Sequence, residues 1–267
     1  MKVLNTGKVK FSGILQEETV NIDYQNRIIE VKGKNVSLQD LNLEAPVSGT
    51  IYGTLLNYKG VMEALGDAVN EDPYKAPPKA PVLYIKPINT VIGYGASIPM
   101  PANVDQLEIG AALGLVIGKK ATRVAKAEAL DYIAGYTVVN DVSVPHASVY
   151  RPAISQKCRD GFCPVGPWVI EREAVANPDA LSVRVFINGE LRQENTTANL
   201  IRSVSQLIAD VTDYMTLNEG DVLLVGVPEN APLAKAGDQV RIEISEVGIL
   251  ENTIVHENEL QVGGAKK

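Results

Sequence analysis

The chain has 267 residues, 45% of them hydrophobic and 21% charged, with a formal net charge of −7. A chain of this length buries a substantial core, but its acidic balance argues against nucleic acid as a partner, because no basic stripe offsets the repulsion from a polyanion. No apolar run approaches the ~20 residues that span a bilayer, and the first residues lack the apolar stretch of a secretory signal, so a cytoplasmic protein with no membrane partner is expected.

In chain order, residues 1–45 read as a small β meander, with short β-type runs at 8–15, 18–24 and 27–33 separated by polar turns. The run 51–58 follows as a strand, and 60–69 has helical spacing with Val61, Leu65 and Val69 on one face. A proline-rich loop over 70–81 leads to a strand at 82–87 and a turn over 90–101. The stretch "LEIGAALGLVIG" (107–118) reads as one buried strand, and 123–136 as an amphipathic helix ending near Gly135. A buried strand at 136–144 runs into a polar end, and 182–195 is a hairpin turning at Asn188-Gly189. Leu200, Val204, Leu207, Ile208 and Val211 form the stripe of a helix, and strands at 220–228 and 237–255 complete the fold. Strands do not alternate regularly with helices, so the expected class is a β-rich α+β fold with a few packed helices. The division read from the sequence is a meander over 1–45, a main domain over 46–260 and a tail over 261–267.

Familiar chemical motifs fail on inspection. "IGYGAS" carries Gly93 and Gly95 but Ile98, so a dinucleotide fingerprint is incomplete. No G-x-S-x-G elbow is present, and the only histidines are His146 and His256. Cys158 and Cys163 form a lone C-x4-C pair without the second pair of a zinc site, and they read as structural thiols. Chemistry concentrates instead in residues 135–168, where Asp141, His146, Tyr150, Arg151, Lys157, Arg159 and Asp160 share one loop-rich window. Asp141 stands at a strand terminus, where a hard cation such as magnesium is often held.

That window resembles the fumarylacetoacetate hydrolase superfamily. "AGYTVVNDVS" and "KCRDGFCPVGPW" are similar to its strand ending in Asn-Asp and to its Lys-x-x-Asp-x-Phe-x-Pro-x-Gly-Pro run. "LLNY" (55–58), "YIKP" (84–87), "LGLVIGK" (113–119), "INGELRQ" (187–193), "TLNEGDVLLVGVP" (216–228) and "VGILEN" (247–252) follow the family's order from about residue 50 to 255. "DPYKAPPKAP", "IKPINTVIG", "YRPAI" and "KCRDGFCP" look most like the decarboxylase/isomerase branch of aromatic (4-hydroxyphenylacetate, homoprotocatechuate) catabolism. The resemblance implies a β-roll, a dimeric or two-repeat assembly, a small dicarboxylic 2-oxo acid substrate, and Mg2+ or Mn2+ as the cofactor that polarises the 2-oxo group.

Carried over residue by residue, the resemblance implies catalytic roles for Lys157 and Asp141, with Asp141 the one retained metal-ligand position. It places Asn57, Tyr58 and Lys86 among substrate-binding residues. His146 and Tyr150, from the same chemical window, are taken as a further catalytic and a further substrate-binding candidate. The family's Glu-x-Glu pair falls on Gly110 and Ala112, its histidine after "NY" on Val61, its "SARD" arginine on Pro145 and its "TGTP" threonine on Val227. Glu108 shares the strand face of 110 and 112 but precedes the first expected ligand by two residues, roughly 6–7 Å. These departures predict a subunit that works with an acid-complete paralogue, or one that is catalytically silent and stabilises such a partner in a homo- or hetero-oligomer. A hydrolase of a 1,3-diketo acid is the third expectation, weakened because water activation calls for a general base and residue 61 is not histidine.

Overall fold

A computed structural model describes residues 5–72, 75–146 and 153–262. Its centre is the strand Ala111–Ile117, buried at every position between Ile133–Asn140 and Val222–Leu224. Strands buried on both faces read as unbroken apolar runs rather than alternating ones, and "AALGLVI" is such a run. Beyond Val222–Leu224 the sheet continues through Ile51–Leu55 to an edge at Val82–Lys86. On the other side it passes through Cys163–Glu171 to Asn5–Phe11, Glu18–Asp23, Ile28–Val31 and Lys34–Ser37. The meander expected over 1–45 thus continues the main sheet, with Gly7 opposite Ile170 and Lys8 opposite Val169.

A second sheet of five strands, Glu190–Thr196, Ser182–Ile187, Gln239–Ile244, Gly248–His256 and Ser97–Met100, packs against the first. Trp168 seals the contact: it is 1% exposed, and its indole N–H donates to the Val247 carbonyl at 2.7 Å. The Asn188-Gly189 hairpin forms as expected, with φ of 53° and 82° at the two turn residues, the positive values a type I′ turn requires. The helix Val204–Tyr214 forms too, buries Leu207, Ile208 and Val211, and begins on the Ser203 hydroxyl, which accepts from the Gln206 amide.

Two expectations change. The helix expected over 123–136 is a 3-10 helix, Lys126–Tyr132, and the chain turns into the strand Ile133–Asn140 at once. Ile133 and Tyr136 favour a pleated, buried surface, and Gly135 has no room for a side chain, since a Cβ there would lie 2.1 Å from the Ile170 carbonyl oxygen. The single strand expected over 107–118 is two, Leu107–Glu108 and Ala111–Ile117, with Leu107–Glu108 paired to Leu233–Ala234. The large sheet is strongly curled. Lys86, on its edge strand, stands 2.9 Å from Asp141, which lies just past the end of Ile133–Asn140. Four steps of strand order separate those strands, so their ends meet only because the sheet rolls, as the expected β-roll requires. Among the described residues no helix is long and apolar enough to cross a membrane.

Candidate functional site

Where the sheet rolls up, its strand ends surround a cleft of ≈ 390 Å³. Asp141 and Lys157 form its floor, with Tyr84, Glu108, His146 and Thr54 around them and Val227 and Glu229 along one wall. Asp141 is fully buried and bridges two ammonium groups, with Lys157 Nζ 2.8 Å from Oδ2 and Lys86 Nζ 2.9 Å from Oδ1. The Lys157 contact is a hydrogen bond. The Lys86 contact is an ion pair without hydrogen-bond geometry, and Lys86 donates to the Val142 (3.0 Å) and Lys157 (2.7 Å) carbonyls. The Tyr84 hydroxyl also donates to Asp141 Oδ2.

The electrostatics follow from this packing. Burial opposes ionisation of Asp141, yet the charges of Lys157 and Lys86 and the hydrogen bonds from Lys157 and Tyr84 outweigh it, and its carboxyl is held well below the ordinary carboxylate range. The same burial, with the Asp141 charge and hydrogen bond, raises the Tyr84 phenol well above its usual value. Glu108 moves the other way from Asp141. Burial raises its carboxyl; Lys157 and His146 pull it down, and Asp141 adds to the rise. The two carboxyls lining the cleft are thus shifted in opposite directions, Asp141 down and Glu108 up, the pattern that acid–base chemistry uses.

The candidates drawn from the sequence divide sharply. Asp141, Lys157 and His146 come together at the cleft, with the His146 ring Nδ1 3.0 Å from the Val144 carbonyl oxygen. Lys86 touches the site from behind and is closed to substrate, its side chain 0% exposed. Asn57 is buried as a cross-link: its amide donates to the Arg202 and Val225 carbonyls at 3.2 and 2.8 Å and accepts from the Arg202 N–H at 2.9 Å. Tyr58 is buried, its phenol raised by burial and by Glu229, and it does not line the cleft. Tyr150 lies outside the described residues. Asn57, Tyr58 and Lys86, expected as substrate-binding residues, are thus buried and are not among the residues that line the cleft.

The residues missed from the sequence are Tyr84, Thr54 and Glu229. Tyr84 was within reach of a period-two reading of "YIKP", which sets Tyr84 and Lys86 on one face of their strand. Its ring has space only because its cross-strand partner is Gly53, where a Cβ would sit 2.0 Å from Tyr84 Cζ. Thr54 Oγ1 and Glu229 Oε2 are buried without a hydrogen-bond partner among the described residues, and both residues line the cleft. No pattern in the sequence marks either one.

The site does not fit a divalent metal. Both Asp141 oxygens already face ammonium groups. The positions of the expected acid pair offer no ligand: Ala112 is 1% exposed within an apolar cluster, and a Cβ on Gly110 would stand 2.5 Å from the Asp141 carbonyl oxygen and 3.0 Å from Val227 Cγ2. Among the described residues no three His, Cys, Asp or Glu side chains gather as a metal site would need. The Asp141 ligand role and the Mg2+ or Mn2+ expected from the resemblance are therefore not supported by the residues present.

A rolled mixed sheet packed on a five-stranded sheet, with a charged cleft at its strand ends, defines the class of protein. Residues 50–255 match the family model described as fumarylacetoacetate (FAA) hydrolase C-terminal, and the chain belongs to that family. It is 44% identical over 214 residues to the 4-hydroxyphenylacetate degradation bifunctional isomerase/decarboxylase of Escherichia coli, a match covering 80% of this chain and 49% of that protein. The chain thus spans about half the length of the curated relatives it matches first. Its fold is similar to the 5-carboxymethyl-2-hydroxymuconate delta-isomerase of Mycobacterium smegmatis, with a TM-score of 0.77 at 27% identity over 95% of this chain and 100% of that one. The fold is shared also with a maleylpyruvate hydrolase from Sphingobium sp. SYK-6 solved with manganese(II) and pyruvate, with a TM-score of 0.72 at 24% identity over 94% of this chain and 99% of that one.

Proposed function

We propose that this chain is one half of a decarboxylase/isomerase of aromatic catabolism, acting on 5-carboxymethyl-2-oxohex-3-enedioate and its decarboxylated product, and that its own share is the proton transfer of the isomerisation. The observation that carries this reading is the placement of Lys157 and of Glu108, whose carboxyl burial raises, in one cleft. Double-bond migration moves a proton from an enol oxygen to a carbon, with no net change in composition. The Lys157 ammonium attracts a substrate carboxylate and the developing enolate charge. Glu108, its carboxyl raised by burial, supplies the proton to carbon, and the enol proton leaves to Glu229 Oε2, which has no hydrogen-bond partner among the described residues. Solvent exchange then resets the two carboxyls.

The test is turnover by the purified whole chain, followed by loss of dienol absorbance and by carbon dioxide release. The expected outcome is isomerisation by the chain alone, with decarboxylation on adding an acid-complete paralogue. Replacing Glu108 by Gln should lower the isomerisation kcat by about 100-fold, the scale of general acid catalysis, with little change in KM. No turnover with or without the paralogue overturns the reading. A second reading, a silent subunit that stabilises its partner, is favoured by the loss of both acids at 110 and 112. It predicts no turnover by this chain and a raised melting temperature of the partner on mixing.

A further inference from the structure

The floor of the cleft carries a positive charge of its own. Lys86 and Lys157 share the one carboxylate of Asp141, at 2.9 and 2.8 Å, so the trio has a formal charge of +1 in a buried place. The two lysines are not equivalent. Lys86 donates to two carbonyls, is ion-paired with Asp141 and is closed to solvent. Among the described residues Lys157 makes one hydrogen bond, to Asp141, and it reaches the cleft with 11% of its side chain exposed. Two of its three N–H groups remain for a ligand. The Tyr84 ring, 4.9 Å from its ammonium, fixes the direction in which it points. Thr54, whose Oγ1 is buried without a partner among the described residues, lines the same cleft.

We infer that Lys157 is a direct, metal-independent seat for one carboxylate of a small oxo acid, with Lys86 built into the fold as the second positive charge that keeps Asp141 from neutralising it. A carboxylate on Lys157 restores neutrality to the trio. A dication at Asp141 would instead face two ammonium groups already in contact with that carboxylate. The neighbouring position cannot supply a ligand side chain, because Gly110 is closed by the Asp141 backbone and Val227. The inference leans on the proposed function only for the choice of an oxo-acid mimic as probe.

The experiment is calorimetric titration of the full chain with oxalate in excess EDTA, repeated with Mn2+ in place of EDTA, and with Mn2+ alone. Oxalate is expected to bind one per chain in EDTA, with its Kd changed less than about twofold by Mn2+, and Mn2+ alone should give no heat of binding. Lys157→Gln should weaken oxalate by at least about tenfold, while Lys157→Arg, which keeps the charge, should hold it within a few-fold. The inference is overturned by no oxalate binding in EDTA, by binding that requires Mn2+, by micromolar Mn2+ binding to the chain, or by wild-type affinity in Lys157→Gln. Should that variant not fold, the EDTA and Mn2+ comparison on the unaltered chain decides the matter. Absent turnover in the assays above leaves an oxalate result standing, and absent oxalate binding leaves a turnover result standing, so the two readings fail separately.

Discussion

Asp141 is where the charge balance of this protein is most exposed to a single change. Removing its carboxylate leaves two ammonium groups, one of them wholly buried, without their common partner. Breaking a buried pair in this way costs about 3–5 kcal/mol. Asp141→Asn is therefore expected to lower the urea midpoint by that equivalent at about pH 7. The pH dependence has a definite sign. The Asp141 carboxyl is held below its ordinary value of 3.8 in the folded chain, so its contribution is complete above that value and is lost as pH falls through the lower, folded one. Below about pH 4 the wild-type chain should lose stability more steeply than Asp141→Asn. Equal slopes in urea titrations at several acidic pH values would show that Asp141 is not ionised and paired as described. Its aspartate was legible from the sequence as a site residue. Lys157 and Lys86 were legible as site residues too, but their pairing with Asp141 was not, since the two lysines are 71 residues apart and meet only in space.

Among the elements, the strand Ala111–Ile117 and the residue before it explain why small side chains stand where the family carries acids. Gly110 is there for close approach: its amide lies 3.2 Å from Asn140 Oδ1, its carbonyl accepts from the Asp141 amide at 2.8 Å, and no Cβ fits between. Gly110→Ala should destabilise by about 1–3 kcal/mol through overpacking, read as a lower melting temperature. Restoring the acid pair with Gly110→Glu and Ala112→Glu should fail to create a manganese site, because the first side chain meets backbone and the second meets the apolar cluster of Val139 and Val165. A tight Mn2+ site in that double variant would overturn the steric account. The hairpin gives a contrasting case. Gly189 has open space around it but a φ of 82°, so Gly189→Ala should cost about 1–2 kcal/mol from backbone conformation alone. The Asn-Gly pair announced that turn in the sequence, whereas the short 3-10 helix at 126–132 was hidden behind a spacing that also fits an amphipathic helix.

Across the whole molecule, the rolled sheet and the five-stranded sheet share one core, and the single tryptophan lies between them. Trp168 fluorescence and far-ultraviolet circular dichroism should therefore report the same denaturant midpoint, as one cooperative unit requires. Separate midpoints would show that the two sheets unfold independently. The roll also sets the limits of legibility. Strand positions, the hairpin, the long helix, family order and the loss of two acids all lie in local pattern or motif order, which a chain displays without folding. The ion-paired Asp141, the enclosed Lys86, the structural Asn57 and the arrival of Tyr84, Glu108 and Glu229 in one cleft depend on distant strands being brought end to end. Period and propensity act between neighbours in the chain, whereas the curl of a twelve-stranded sheet is a property of all its pairings together. The sequence by itself therefore determined what kind of protein this is and which ligands it lacks. The tertiary structure alone decided that two lysines face Asp141, the one ligand position the chain retains.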